Sequence, residues 1–287
     1  MQEEPLSLNH KSILSEGLRT SGSSLSEYSF ANLYLFREKH AYSVLIDEVP
    51  FIRGKAYSGR EYVMPTRDVR KINKAALDRM IDRYGCLFPI PEIWLTDFPG
   101  SEYAVSHDDT ESDYLHLINK LVAYSGRKLH SKRNLLLQFT KRYSCEALPL
   151  TNDRLADART ALDAWNKTSD LPPEATDYGA CNEAISLYEE LGLCGGIYYI
   201  DGQPAGFIMG EELDATTFVI HFAKADHRFK GIYQFMYQQF AGIMPSKYAL
   251  FNFEQDLGLE SLRQAKASYH PDKMAVKYRV ERHQKVK

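Results

Sequence analysis

Two hydrophobic periods alternate along this chain, and each stretch takes its expected element from the one it follows. Residues 73–84 set Leu77, Met80, Ile81 and Tyr84 at helical spacing and stop at Gly85, which predicts a helix. A capped helix is expected over 26–40, with Ser26 as cap and Phe30, Leu33 and Tyr34 on one face. Segments 43–47, 50–56 and 60–65 read as strands, the first two joined by a short Asp-Glu-Val turn into a hairpin. Further strands are expected at 92–98 and 101–107. Residues 113–143 read as helical, with Tyr114, Leu117, Ile118, Leu121 and Val122 in register before Ser125-Gly126 and a second helix after them. The polar, serine-rich residues 1–25 read as a loosely held lead-in.

The second half opens with helices over 155–167, where Leu155, Leu162 and Trp165 face one way, and 178–191, ending at Gly192. A meander of strands at 196–200, 204–210 and 216–222 follows, with Asp201-Gly202 as its first turn. Gly206 and Gly210 mark bulges or close backbone approaches. Then come a helix over 231–243 and a strand over 248–253. The closing stretch, 252–280, reads as a strand end, a loop, a helix from Asp256 to about Ala267, and a last strand; Pro271 forbids continuation of the helix. On that helix Leu259, Leu262, Lys266 and Tyr269 share one narrow sector, with Arg263 and His270 at its shoulder. A lysine on an apolar stripe must snorkel, find a partner or lose its charge, so Lys266 is a candidate site residue. The order of elements in the two halves is similar, which predicts two α+β domains of related architecture, 1–146 and 147–287.

Composition narrows the classes. The 287 residues carry a net charge of −3, with 44% hydrophobic and 25% charged, so the chain is an ordinary globular one and no global polycation. Four scattered cysteines without a C-x-x-C pair favour reduced thiols in a cytosolic setting. The start, MQEEPLSLNHKS, lacks the basic and apolar regions of a signal peptide, and no window reaches 18 uninterrupted apolar residues. The nine histidines form neither H-x-x-x-H nor H-E-x-x-H, so no metal site is expected.

The junction AKADHRFKGIYQ, before the helix at 231–243, can carry chemistry. A glycine at a helix start leaves N–H groups free for an anion, and Arg228, Lys230 and Gly231 sit where a phosphate would dock. In the GNAT superfamily the pyrophosphate loop, Gln/Arg-x-x-Gly-x-Gly/Ala, lies at this place. Here the basic residue and glycine are kept, while Tyr233 replaces the last small residue and would crowd a coenzyme A pyrophosphate.

Taken with SEYSFANLYLFR, GRKLHSKRN, YEELGLCGGIYYIDGQPAGFIMGE and EQDLGLESLRQAKASYHPDKMAVKYRV, this junction resembles the C-terminal domain of phosphatidylglycerol lysyltransferases. The resemblance implies two tandem GNAT-like domains with mixed, mostly antiparallel sheets flanked by helices, and an active-site cleft in the second or between the two. It also implies aminoacyl transfer from aminoacyl-tRNA to a lipid headgroup or another amine or hydroxyl acceptor. The membrane-embedded half of those synthases has no counterpart in this sequence.

An aminoacyl ester is already activated, so such an enzyme must position it, deprotonate the acceptor and stabilise the oxyanion. Arg263 and Lys266, matching the family's Leu-Arg-x-x-Lys run, are candidate charge stabilisers, with His221 and Glu254 as candidate bases. Asn252, Tyr269, Lys273 and Lys277 are candidate substrate-binding residues alongside Arg228, Lys230, Gly231 and Tyr233. A basic run, Arg127, Lys128, His130, Lys132 and Arg133, with Lys141 and Arg142 beyond it, and a closing excess that includes Arg279, Arg282, Lys285 and Lys287, could grip tRNA or anionic headgroups. Lys132, Arg133 and Asn134 match family positions. No cofactor is assigned with certainty; aminoacyl-tRNA is the expected donor and coenzyme A the less favoured one. Two readings compete, an acyl-CoA-dependent N-acyltransferase and a non-catalytic binding module. The expected location is cytoplasmic, with peripheral contact to the inner face of the membrane.

Overall fold

A computed structural model describes residues 1–169 and 171–283. In chain order it runs β1 (Gln2–Pro5), α1 (Lys11–Arg19), α2 (Phe30–Leu35), β2 (Ser43–Ile46), β3 (Phe51–Lys55), β4 (Glu61–Pro65), α3 (Lys74–Tyr84), β5 (Leu87–Pro91), β6 (Tyr103–His107) and β7 (Asp113–Leu117). Next come α4 (Ile118–Ala123), α5 (His130–Arg142), β8 (Cys145–Pro149), α6 (Leu155–Lys167), α7 (Tyr178–Ser186) and α8 (Tyr188–Leu191). The chain continues with β9 (Cys194–Ile200), β10 (Gln203–Glu212), β11 (Thr217–Ala225), α9 (Ile232–Ile243), β12 (Leu250–Asn252), α10 (Glu260–Ala267), β13 (Lys273–Ala275) and β14 (Lys277–Arg282).

Seven strands form the first sheet in the order β1-β2-β3-β4-β5-β14-β6. Its single parallel pair is β4 with β5, and the others run antiparallel. The second sheet has the order β8-β9-β10-β11-β12-β7-β13, with β11 and β12 parallel. In both, an antiparallel meander of four strands leads to a parallel fifth, and the sixth comes from the opposite half of the sequence. Both sheets are mixed and mostly antiparallel, as expected.

Local chemistry explains the elements that sequence reading placed well. The Asn73 side chain accepts from the Ala75 N–H at 2.8 Å to start α3, and Gly85 ends it at φ +95°. Leu77, Met80 and Ile81 are buried beneath that helix. Asp201 and Gly202 both take positive φ in the turn between β9 and β10, the backbone that matches strand twist. The register of β10 slips at Pro204/Gly206 and at Met209/Gly210, the expected bulges.

Several expectations give way. The lead-in is ordered: β1 pairs with β2, and α1 buries Leu14 and Leu18. The helix expected over 26–40 is a single 3-10 turn at Ser26–Tyr28 followed by the short α2. Residues 92–97 form a 3-10 helix that buries Trp94 rather than a strand. Residues 113–117 extend as β7, because Leu115, His116 and Leu117 find partners in Asn252, Phe251 and Leu250 of β12. The closing helix begins at Glu260; Asp256 instead holds a turn by accepting from the Gly258 N–H.

The chain divides into two compact units that interleave in sequence, so they do not follow a cut at 146/147. The first comprises Met1–Tyr114, Glu254–Arg263 and Met274–Lys287, the second Leu115–Phe253 and Gln264–Lys273. The core of the first gathers Val44, Ile52, Val63, Leu87 and Ile90. That of the second gathers Leu162, Ile197, Phe207, Phe222, Met236 and Phe251.

Candidate functional site

In the first unit the expected cations meet carboxylates. The Asp256 carboxylate accepts from the Tyr114 hydroxyl at 2.7 Å and from Arg263 Nε at 3.1 Å. Burial alone would raise this carboxyl's pKa, but those hydrogen bonds outweigh it and hold it below its usual value. Arg263 keeps 39% of its side chain exposed. Glu254, at φ +59°, accepts from the Asn32 amide at 2.9 Å. Lys277 is placed differently from expectation. Its side chain has no exposure, and its Nζ lies 2.6 Å from Glu27 and 2.7 Å from Asp113. A lysine enclosed by two carboxylates has its charge taken up inside the core and leaves none for a substrate. Arg279 is likewise bound to Glu111, and Arg282 to Asp82; Lys285 and Lys287 lie outside the described residues.

The second unit holds the glycine junction. Arg228 grips the Asp226 carboxylate with Nε at 2.9 Å and Nη2 at 2.5 Å, while Lys230 is exposed. Gly231 caps α9 at φ +96°, and a Cβ there would lie 2.5 Å from the Leu135 carbonyl oxygen of α5. The Tyr233 hydroxyl accepts from the Ala225 N–H at 3.3 Å. His221 is wholly buried and paired with Glu211 at 3.0 Å, and Asn252 is buried in β12. Lys273 is exposed.

Lys132, Tyr269 and Ser268 come together. Lys132 donates to Ser268 Oγ at 2.6 Å and lies 4.1 Å from the centre of the Tyr269 ring. Burial holds the ammonium's pKa below its ordinary value. The Tyr269 hydroxyl accepts from the Gln234 amide at 2.7 Å, and Arg133 donates to the Tyr124 carbonyl at 2.9 Å. Asn134 stays exposed beside His130. Lys266 is half-buried near the end of α10.

Residues 114–145 contain no aspartate or glutamate, yet carry Lys120, Arg127, Lys128, Lys132, Arg133, Lys141 and Arg142. Lys120 pairs with Asp272 from the closing stretch. Among the described residues the other six make no ion pair, in a chain whose net charge is negative. Sequence reading saw the basic run and overlooked the absence of acids around it. It also missed His116, Gln234 and Ser268: His116 fell in a stretch read as helix, where the face it occupies in a strand is not legible.

Comparison with known proteins agrees with this architecture. A conserved protein from Bacteroides thetaiotaomicron VPI-5482 superposes with a TM-score of 0.82 at 26% identity, covering 98% of this chain and 99% of its own. The C-terminal domain of a putative lysylphosphatidylglycerol synthetase from Agrobacterium fabrum superposes with a TM-score of 0.61 at 14% identity, covering 96% and 92%. An uncharacterised protein of Mycoplasmoides gallisepticum is 27% identical over 178 residues, spanning 60% of this chain and just over half, 56%, of that relative. Among the described residues no helix is long and apolar enough to cross a membrane. The model of the family described as phosphatidylglycerol lysyltransferase, C-terminal, matches residues 18–281, and the chain belongs to that family.

Proposed function

We propose that this protein transfers an aminoacyl group from aminoacyl-tRNA to a lipid headgroup or to another amine or hydroxyl acceptor. Family membership supports the acyl-transfer chemistry. The observation that carries the choice of donor is the acid-free stretch 114–145, whose six cations without ion pairs suit a phosphodiester chain. The phenol of Tyr233, at the position where the coenzyme A loop keeps a small residue, would crowd a pyrophosphate, which further supports tRNA.

In the transfer the acceptor's oxygen or nitrogen bonds to the acyl carbon. The bond from that carbon to the terminal ribose oxygen breaks, and the acceptor's proton passes to that oxygen. No oxidant or reductant enters. Lys132 and Lys266 of the second unit are the cations proposed to face the developing oxyanion or the adjacent phosphate.

The test is incubation with each labelled aminoacyl-tRNA in the presence of a lipid extract and a panel of soluble amines and hydroxyls. At least one tRNA should lose its label to an acceptor fraction; retention of label on every tRNA overturns the proposal. In a parallel measurement, changing Arg127, Lys128 and Arg142 together to Gln should weaken tRNA binding and flatten its salt dependence by up to about 3 in log–log slope.

A further inference from the structure

His116 sits on β7 with no exposure, and neither ring nitrogen has a hydrogen-bond partner among the described residues. Two orphaned polar atoms on one enclosed side chain are uncommon, and an apolar ring of similar size would fill the place at lower cost. Apolar packing therefore does not explain a histidine here.

Its surroundings specify what could satisfy it. The Phe253 ring lies 4.5 Å away, tilted, and the Tyr269 ring stands edge-on at 6.3 Å. Tyr237 stacks on Phe253 at 4.7 Å, extending the aromatic wall. The charged groups acting on the imidazole are Lys120, Asp272 and Lys266, and Lys120 and Asp272 are paired with each other at 2.8 Å. Burial, reinforced by the two lysines, pushes the imidazole down to about 3, so it is neutral at physiological pH. A neutral imidazole offers one N–H donor and one bare nitrogen acceptor. The two lysines disfavour a bare cation, and the neutral ring suits a group presenting a carbonyl oxygen with an N–H or O–H beside it.

We propose that His116 is the polar anchor of a small subsite in the second unit for an aminoacyl carbonyl, donating its N–H to that oxygen and accepting from the neighbouring amine or hydroxyl. The ligand's identity rests on the aminoacyl-transfer reading; the presence of a polar ligand at His116 does not. Tyr269 is itself buried and accepts from the Gln234 amide at 2.7 Å, so a ligand reaches His116 only as the surrounding rings move.

Amino acid amides keep the carbonyl and amine and cannot be transferred. A panel of them, titrated by calorimetry and thermal shift, should include at least one that binds the wild type. His116→Phe should raise the melting temperature of the free protein while weakening that amide at least about tenfold, the scale of one lost hydrogen bond. His116→Gln, which restores a donor and an acceptor, should recover part of the affinity. Unchanged amide binding in His116→Phe overturns the subsite, as does failure of every amide to bind the wild type. Amide binding that depends on His116, with every charged tRNA keeping its label, would leave the subsite standing and remove the tRNA proposal. Transfer by the wild type with amide binding indifferent to His116 would do the reverse.

Discussion

Lys277 shows how far a residue's role depends on what surrounds it. By position it is one more base in a basic closing run; in the fold it is shut between Glu27 and Asp113. Two acids facing one lysine leave an excess negative charge in the core, so the carboxylates retain a proton that they would release in water. Burial, with Asp113 adding to it and Lys277 opposing it, raises Glu27 from 4.5 to about 7, a proton that belongs to the pair. Between those values the folded chain holds a proton that the unfolded chain has lost. The resulting stability is fully present below about 4.5 and is lost as pH rises through 7, with a slope of at most about 1.4 kcal/mol per unit. Melting temperatures measured from pH 4.5 to 8 should fall more steeply in the wild type than in Glu27→Gln. An equal slope in both would show that the triad does not hold the proton. His116 works in the opposite sense, its contribution being lost as pH falls from 6.5 through about 3, and the comparison must be made against that background. Arg228, a candidate for docking a phosphate, and Arg263, a candidate charge stabiliser, each pair with an aspartate that sequence spacing alone does not single out as partner.

Elements behave more predictably than charges. The start of α9 was legible because a glycine before an apolar helical run signals a turn, and Gly231 indeed takes φ +96°. The anion site expected there was not legible to the same degree. Close packing on α5 gives the glycine a second cause, since a Cβ would meet the Leu135 oxygen at 2.5 Å and the Phe139 Cβ at 2.9 Å. Gly231→Ala should therefore destabilise the fold by about 2 kcal/mol or more, read by denaturant unfolding, through strain at positive φ together with the clash. A stability equal to wild type would mean that the junction can move freely, as a ligand loop would. Residues 113–123 show the limit of periodicity: Tyr114, Leu117, Ile118 and Leu121 fit a helical face, yet the first five residues are drawn into a strand by β12. Short apolar runs fit both periods, and the partner strand decides between them.

For the whole molecule, the sixth strand of each sheet comes from the far half of the sequence. β14 lies between β5 and β6 in the first sheet, and β7 lies between β12 and β13 in the second. A fragment of residues 1–146 would lack β14 and leave facing edges of β5 and β6 bare. Produced alone, it should bind a hydrophobic dye and give poorly dispersed amide resonances, and the same holds for 147–287 without β7. A well-folded monomer from either fragment would contradict this dependence. Local pattern was enough to specify the α3 caps, the β9–β10 turn, the bulges in β10, the meander and the repeated α+β order, because each depends on residues within a few positions of one another. Strand exchange, the neutralisation of Lys277 by Glu27 and Asp113, and the meeting of Lys132 with Tyr269 depend on residues more than a hundred positions apart. Those facts arise only once the sheets have closed, since Coulomb and desolvation energies follow distance in space and not along the chain.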